Sequence, residues 1–521
     1  MREVGRSWLV LAASLVVSSS TWLAGCGPET EVDDPSLYGG ASSALTSSTQ
    51  SYLVSFSGGS IPADAASVIA AAGGSIVTRY ANVGVVLAKG GAGLAASLRA
   101  NPRVDSVGLA RSVASSLLPK KASGKVSGRH HGPTRNPQGG ADPLSDHQWD
   151  MDQIKAPQAR AISGGKSSVL VGVLDSGIDP THPDLVGQVV AAASASCVGG
   201  VANGDPSTWS NDVIGHGTHV AGIIGAKKND VGIVGVAPGV KLASVKLAVD
   251  DVNDPNFGLV FADAFVCAMD WAIGHGFDLM NASLSIDPFT APIDDIFCSD
   301  QPDRAAIVKM VRRAVLAAAA KKITLVASTG NFFTDLATLT NGMGGTNCKV
   351  IPVQLPRVIG VSAVGVTKEL AWYSNYGKRA VDLTAPGGDS NLPFAGVPET
   401  AASGQVLSSV PAGSLYYQFA ADWDGQVEDC SSGTCATYAY IQGTSQAAPH
   451  VTGVAALALS RYGKLAPEAL LALLSVKATG LPCPASPYDP GQTGQPATCK
   501  GPAAYNNFYG AGLVDALAVS R

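Results

Sequence analysis

The chain has 521 residues, enough for one large domain with smaller pieces beside it. Charged residues are 14% of the total and glycine occupies 60 positions, which suits a compact, loop-rich α/β protein better than a disordered or coiled-coil chain. The net charge of −5 gives no ground for nucleic-acid binding.

The N-terminus reads as an export address. Arg2 and Arg6 precede an apolar run, Trp8 to Val17, too short to span a bilayer comfortably. Leu23-Ala-Gly-Cys26 follows, and small residues before a cysteine resemble a bacterial lipoprotein signal, with residues 1–25 removed and a lipid on Cys26. An ordinary secretory signal is the alternative. Residues 26–50 are rich in Ser, Thr and Gly and read as a tether.

From residue 51 the pattern becomes that of a small domain. Tyr52 to Phe56 alternates as a strand, and Ile61 to Ala72 is an alanine-rich helix. Strands at Ser75 to Tyr80 and Val83 to Ala88, a helix at Gly93 to Ala100 and a strand at Val104 to Leu109 complete a βαββαβ order. That order predicts an α+β ferredoxin-like sandwich over 51–111. Residues 112–145 carry Lys120, Lys121, Lys125, Arg129 and Arg135 among Ser, Gly and Pro, as in an exposed linker open to processing.

Strands and helices alternate from 146 to 521. Strands are expected at 169–174, 242–247, 278–283, 323–327 and 358–364, and helices from His216, at 261–274, 304–320 and 446–462. Alternation predicts a doubly wound, mostly parallel sheet covered by helices, with chemistry at the carboxyl ends of its strands.

Eight cysteines follow Cys26, an even number that suggests disulfides in an exported chain. Cys430–Cys435 and Cys483–Cys499 would each close a short loop, and Cys298–Cys348 is a third candidate. Cys267 falls in a helical pattern and reads as a buried free thiol. None of the eight has zinc-site spacing.

Three segments carry the chemistry: Val171-Gly-Val-Leu-Asp-Ser-Gly-Ile-Asp179, Gly215-His-Gly-Thr-His-Val-Ala-Gly222 and Gly443-Thr-Ser-Gln-Ala-Ala-Pro-His450. They contain Asp175, His216 and Ser445 in that order. A serine hydroxyl is a weak nucleophile until a neighbouring base takes its proton. An imidazole can do so, and a carboxylate can hold the imidazole in the required tautomer. Ser445 opens a helix, where free N–H groups can face a developing oxyanion, and Pro449 is expected within the tolerant first turn.

With these motifs the region from about Gln148 onward resembles the catalytic domain of the subtilisin-like serine proteases (subtilases, peptidase S8 family). Gly235-Val-Ala-Pro238, Ser374-Asn-Tyr-Gly377 and Ala385-Pro-Gly387 resemble further family blocks. The resemblance implies a serine endopeptidase with Asp175, His216 and Ser445 as triad, and a structural role for His219. It implies Asn331, in Val326-Ala-Ser-Thr-Gly-Asn331, as an oxyanion donor. Ser283, Leu284 and Ser285 would line one wall of the substrate cleft, and Ala327, Ser328 and Thr329 the other. Catalysis would need no cofactor. A structural Ca2+ would take Asp184 and Asn229, which otherwise read as ordinary loop residues. The 51–111 segment resembles the inhibitory propeptide (inhibitor I9 type) of the family; an unrelated βαββαβ domain is the alternative. The implied partners are protein or peptide substrates and the chain's own propeptide, with no nucleic acid, a membrane reached only through Cys26, and a monomeric state. The precursor would be lipid-anchored at the bacterial cell envelope and the mature domain released.

Residues 389–442 exceed the usual family length and read as a binding lid or as surface decoration pinned by Cys430–Cys435. Two other functions stand beside the protease: a non-catalytic binding protein on an inactive scaffold, and an esterase or lipase. The second would carry Gly-x-Ser-x-Gly with the order Ser, Asp, His.

Overall fold

The computed structural model describes residues 49–111, 142–249, 258–286, 302–339, 348–391, 404–421, 424–433, 435–491, 494 and 496–521. The export segment with Cys26, nearly all of the tether, residues 112–141 of the linker, Cys298 and parts of 389–442 lie outside them.

Strands β1 (Gln50–Phe56), β2 (Gly74–Tyr80), β3 (Val85–Gly90) and β4 (Val104–Arg111) form an antiparallel sheet in the order β2-β3-β1-β4. Helices α1 (Ala65–Ala71) and α2 (Leu94–Arg99) cover one face. The period of two divides β1 between two cores. Tyr52, Val54 and Phe56 pack under the helices, while Leu53 turns the other way with Val85 and Leu87. Helix α1 begins later than the expected Ile61, because Pro62 disfavours helical geometry at the residue before it.

The larger sheet is built from β5 (Leu170–Asp175), β6 (Ala195–Ser196), β7 (Lys241–Lys246), β8 (Leu279–Ala282), β9 (Thr324–Ser328), β10 (Val358–Val364) and β11 (Leu383–Pro386). Its order is β11-β10-β9-β8-β5-β7-β6, and every pairing is parallel. Its strands are nearly continuous apolar runs because both faces are covered. Val171 and Val173 enter the core under α3 (His216–Gly225) and the later helices, whereas Leu174 enters the core under α4 (Ala262–Gly274) and α5 (Pro302–Ala320). The chain leaves β5 on the β7 side and returns through β8 on the other. The switch point therefore falls at the carboxyl end of β5, where such sheets open a crevice.

The long stretch near the third motif is not a plain loop. Strands β12 (Val406–Ser409), β13 (Gln426–Asp429) and β14 (Ala436–Ile441) make a three-stranded antiparallel sheet, with helix α6 (Leu415–Ala420) between β12 and β13. Helix α7 (Thr444–Tyr462) follows, then α8 (Pro467–Lys477).

Cys430–Cys435 and Cys483–Cys499 are bonded as expected. The reading of Cys267 as a free thiol is corrected: it is joined to Cys197. Its position on α4 faces the loop after β6, a neighbour that helical periodicity cannot identify. Cys348 is also disulfide-bonded.

The outer face of the small sheet packs on α4 and α5, sharing one core with Phe265, Val266, Ile307 and Val311. Tyr80 donates its hydroxyl to the Gly200 carbonyl at 2.6 Å, beside the Cys197–Cys267 bridge. Lys309 pairs with Asp105 at 2.7 Å, Arg99 pairs with Asp303, and Arg313 donates to the Val83 carbonyl at 2.8 Å.

Candidate active site

Asp175 ends β5 and is 4% exposed. His216 is the first residue of α3. Its Nδ1 lies 2.7 Å from Asp175 Oδ1, which also accepts the Ser176 N–H at 2.7 Å. The approach of strand end to helix start explains the small residues around both: a Cβ on Gly217 would collide with the Gly177 carbonyl oxygen.

Two residues that the motifs did not single out fix this junction. Ser176 accepts the Gly217 N–H at 2.9 Å and donates to Asp212 at 2.8 Å. Buried Asp212 also accepts from Gly215 N–H at 2.8 Å, and from the Thr218 N–H and hydroxyl at 2.9 and 2.7 Å. Its carboxylate thus caps the N-terminal turn of the helix that carries His216. The signal in the sequence was an acidic residue four places before the histidine. Burial opposes charge on His216, but the field and hydrogen bond of Asp175, with Asp212 behind it, outweigh that and raise its pKa above the ordinary histidine value.

Ser445 is the second residue of α7 and is half-buried. Its hydroxyl donates to the Ser283 carbonyl at 3.2 Å, while Ser283 Oγ donates to the Ser445 carbonyl at 2.7 Å. The second bond accounts for Pro449, which lies deeper in the helix than the expected first turn. Proline has no N–H for the carbonyl four residues back, and Ser283 supplies the missing donor to Ser445. Among the described residues no hydrogen bond joins Ser445 Oγ to His216.

Asn331 follows β9 on an exposed turn. Its Oδ1 accepts the Thr444 N–H at 2.9 Å and the Thr444 hydroxyl at 2.8 Å, so its amide is oriented by the residue before Ser445. Asn375, in the Ser374–Gly377 block, holds the turn: it accepts from Phe332 and Thr334 N–H and donates to the Thr329 carbonyl. Ser283 is 5% exposed, and Leu284 and Ser285 are half-buried beside it. Ala327 and Thr329 are fully buried. The Thr329 hydroxyl is spent on the Val361 and Asn375 carbonyls, at 3.2 and 3.1 Å, so this side chain pins the turn. Ser328 is 5% exposed.

His219 is buried, bonds the Ala439 carbonyl at 3.0 Å and is pushed down to about 3 by burial, which keeps it neutral. It ties α3 to β14.

Asp184 is fully buried, and burial raises its pKa to about 7. Its Oδ2 accepts from Tyr438 hydroxyl at 2.9 Å and Ile233 N–H at 3.3 Å; its Oδ1 has no hydrogen-bond partner among the described residues. Asn229 Oδ1 accepts the Val231 N–H at 3.3 Å. An orphaned carboxylate oxygen close to a turn held by an amide oxygen fits a hard cation.

The family model described as the subtilase family, peptidase S8, matches residues 166–512. Fervidolysin of Fervidobacterium pennivorans is 30% identical over 334 residues, covering 64% of this chain and 40% of fervidolysin. The chain therefore spans well under half of that relative. Subtilisin DY of Bacillus licheniformis is 30% identical over 333 residues, covering 64% of this chain and 92% of its own length. The structure of the epidermin leader peptide processing serine protease of Staphylococcus aureus superposes with a TM-score of 0.63 at 19% identity, covering 91% of this chain and 98% of that one; this likeness shows the fold alone. With its parallel sheet, its three motifs gathered at one end and the family match across most of its length, this chain belongs to the subtilase family of subtilisin-like serine peptidases.

Proposed function

We propose that the protein is an exported serine endopeptidase made as a self-processing zymogen. The observation that carries this reading is the 2.7 Å bond from buried Asp175 to His216, set at the strand switch point beside the helix start that holds Ser445. Ser445 attacks the scissile carbonyl of a protein or peptide substrate, and His216 takes its proton. The tetrahedral oxyanion is met by the Ser445 N–H and the Asn331 amide, which Thr444 already orients. His216, held by Asp175, returns the proton to the leaving amine. The resulting acyl-enzyme is hydrolysed by water through the same groups in reverse.

Subtilases need no cofactor for this chemistry. Calcium would be held by Asp184 and Asn229, where it would stabilise the turn at 229–234 and take no part in the reaction.

Residues 51–111 act as the inhibitory propeptide. Their docking through an apolar face, the Tyr80 hydroxyl and the Lys309–Asp105 pair supports this role. Cleavage falls before Asp142. Asp142 accepts the Asn229 and Asp230 N–H groups, Leu144 donates to the Gly232 carbonyl, and Gln148 bonds Val234 through both ends of its amide. These residues are already part of the catalytic unit. Because Cys26 lies on the propeptide side, cleavage releases that unit from its lipid anchor. Among the described residues no helix is long and apolar enough to cross a membrane.

The test is intact-mass analysis of the chain from Ser47 onward beside its Ser445→Ala variant. The parent should yield a fragment beginning between residues 112 and 142 and hydrolyse casein, while the variant stays whole. If both stay whole and neither cleaves casein, the inactive-scaffold reading takes over.

A further inference from the structure

Helix α6 is brought to the active site by the three-stranded sheet rather than by the large parallel one. The Leu415 N–H donates to the Val213 carbonyl at 3.0 Å and the Tyr416 N–H to the Ile214 carbonyl at 2.9 Å. These carbonyls immediately precede Gly215 and His216. Gly215 has φ 89°, and a Cβ there would sit 2.5 Å from Ser414 Oγ, so the strap and the helix start are in close contact. The Tyr416 ring then lies against the His216 ring, with centroids 5.3 Å apart and planes at 56°. This is ordinary aromatic-pair spacing.

The strap is braced from behind. Gln426 Nε2 donates to the Tyr417 carbonyl at 2.6 Å, and the Tyr417 hydroxyl donates to Glu428 at 3.0 Å. Gly425 N–H donates to the Ala420 carbonyl at 2.7 Å, and Ala420 is packed with Val410, Ala439 and Ile441. The turn between β13 and β14 is closed by Cys430–Cys435.

Among the described residues the His216 ring has one hydrogen bond, from Nδ1 to Asp175. A single bond to one ring nitrogen leaves the imidazole free to tilt about that bond, which would carry Nε2 away from the nucleophile. We propose that Tyr416 is a positioning residue for His216: its ring blocks that tilt, and the stretch between β12 and β14 serves catalysis by holding the ring in place. The phenolic oxygen bonds no group among the described residues, so the role belongs to the ring.

This inference rests on Ser445 and His216 being the catalytic pair, and the experiment separates the two claims. Hydrolysis of a short peptide nitroanilide and the rate of Ser445 modification by a small organophosphonate are measured in the parent, Ser445→Ala, Tyr416→Leu and Tyr416→Phe. Melting temperatures are recorded alongside. Misplacement of a catalytic group by about 1 Å can cost about a hundredfold, and Leu keeps part of the contact. Tyr416→Leu should therefore lower kcat and the modification rate about tenfold, with KM within about twofold. Tyr416→Phe, which restores the ring, should recover both rates. If Tyr416→Leu keeps the parent rates, the inference is overturned while the function stands. It is equally overturned if Tyr416→Leu loses activity only by losing its folded state, for the ring would then be filler. If the parent is no more active than Ser445→Ala, the functional reading itself fails.

Discussion

Removing the Cys197–Cys267 bridge gives a stability change that can be worked out beforehand. The two half-cystines are 70 residues apart, and both are buried. Opening a loop of that length returns chain entropy to the unfolded state worth about 4 kcal/mol at 25 °C. The same relation gives about 3 kcal/mol for Cys483–Cys499, separated by 16 residues, and about 2 kcal/mol for Cys430–Cys435, separated by 5. The assay is urea unfolding of the three paired Cys→Ala variants, each in a Ser445→Ala background so that self-digestion cannot intrude. The losses should rank in order of loop length. The Cys197–Cys267 variant should also release the N-terminal sheet more readily, because Gly200, which accepts the Tyr80 hydroxyl, lies three residues after Cys197. A loss below about 1 kcal/mol for this pair, or a reversed ranking, would refute the loop-entropy reasoning.

Four further outcomes follow from the proposed sites. His216 titrates above the ordinary histidine value and must be neutral to act, so kcat/KM should rise with pH through that raised value. Asp175→Asn should cut kcat by about 10⁴ and move the acid limb to lower pH, because burial then acts on the imidazole with only the weaker field of Asp212 to oppose it; an unmoved limb counts against the pairing. Asn331→Ala should lower kcat by about 10²–10³ with little change in KM, a loss known from subtilisin rather than worked out from this fold, and an unchanged kcat would remove Asn331 from the oxyanion site. Chelation with EGTA should lower the melting temperature, and Asp184→Asn should abolish that dependence; a melting point indifferent to chelator in the parent would leave the turn at 229–234 without calcium.

Much of this architecture is legible in the amino-acid sequence. The βαββαβ segment and the strands bearing the motifs announce themselves through period and through runs of Val, Leu and Ala, since burial on both faces demands them. Asp175, His216 and Ser445 stand out as candidates because each sits in a short local pattern. What stayed hidden depends on long-range approach. Cys267 meets Cys197 only once α4 is laid beside the β6 loop. The helix begins at Thr444, two residues before the expected start, so Pro449 falls beyond the first turn, and its compensating donor, Ser283, lies just after β8. Thr329 was expected on a cleft wall, yet its hydroxyl is spent on two carbonyls that no spacing rule connects to it. The strands around Tyr416 pair with one another across loops of irregular length, which blurs the alternation that would reveal them.

The reciprocal bonds between Ser283 and Ser445 matter to anyone wishing to retune what this enzyme cuts. Residues along a cleft wall are usually treated as independent dials, changed one by one to admit a larger or more polar side chain. Ser283 is not such a dial. Altering it would untie the carbonyl that Pro449 leaves without a helical donor, so a library randomised there would select for repair of the turn at Ser445 before selectivity could improve. Diversity is better placed at Leu284, which follows Ser283 on the proposed wall and is half-buried.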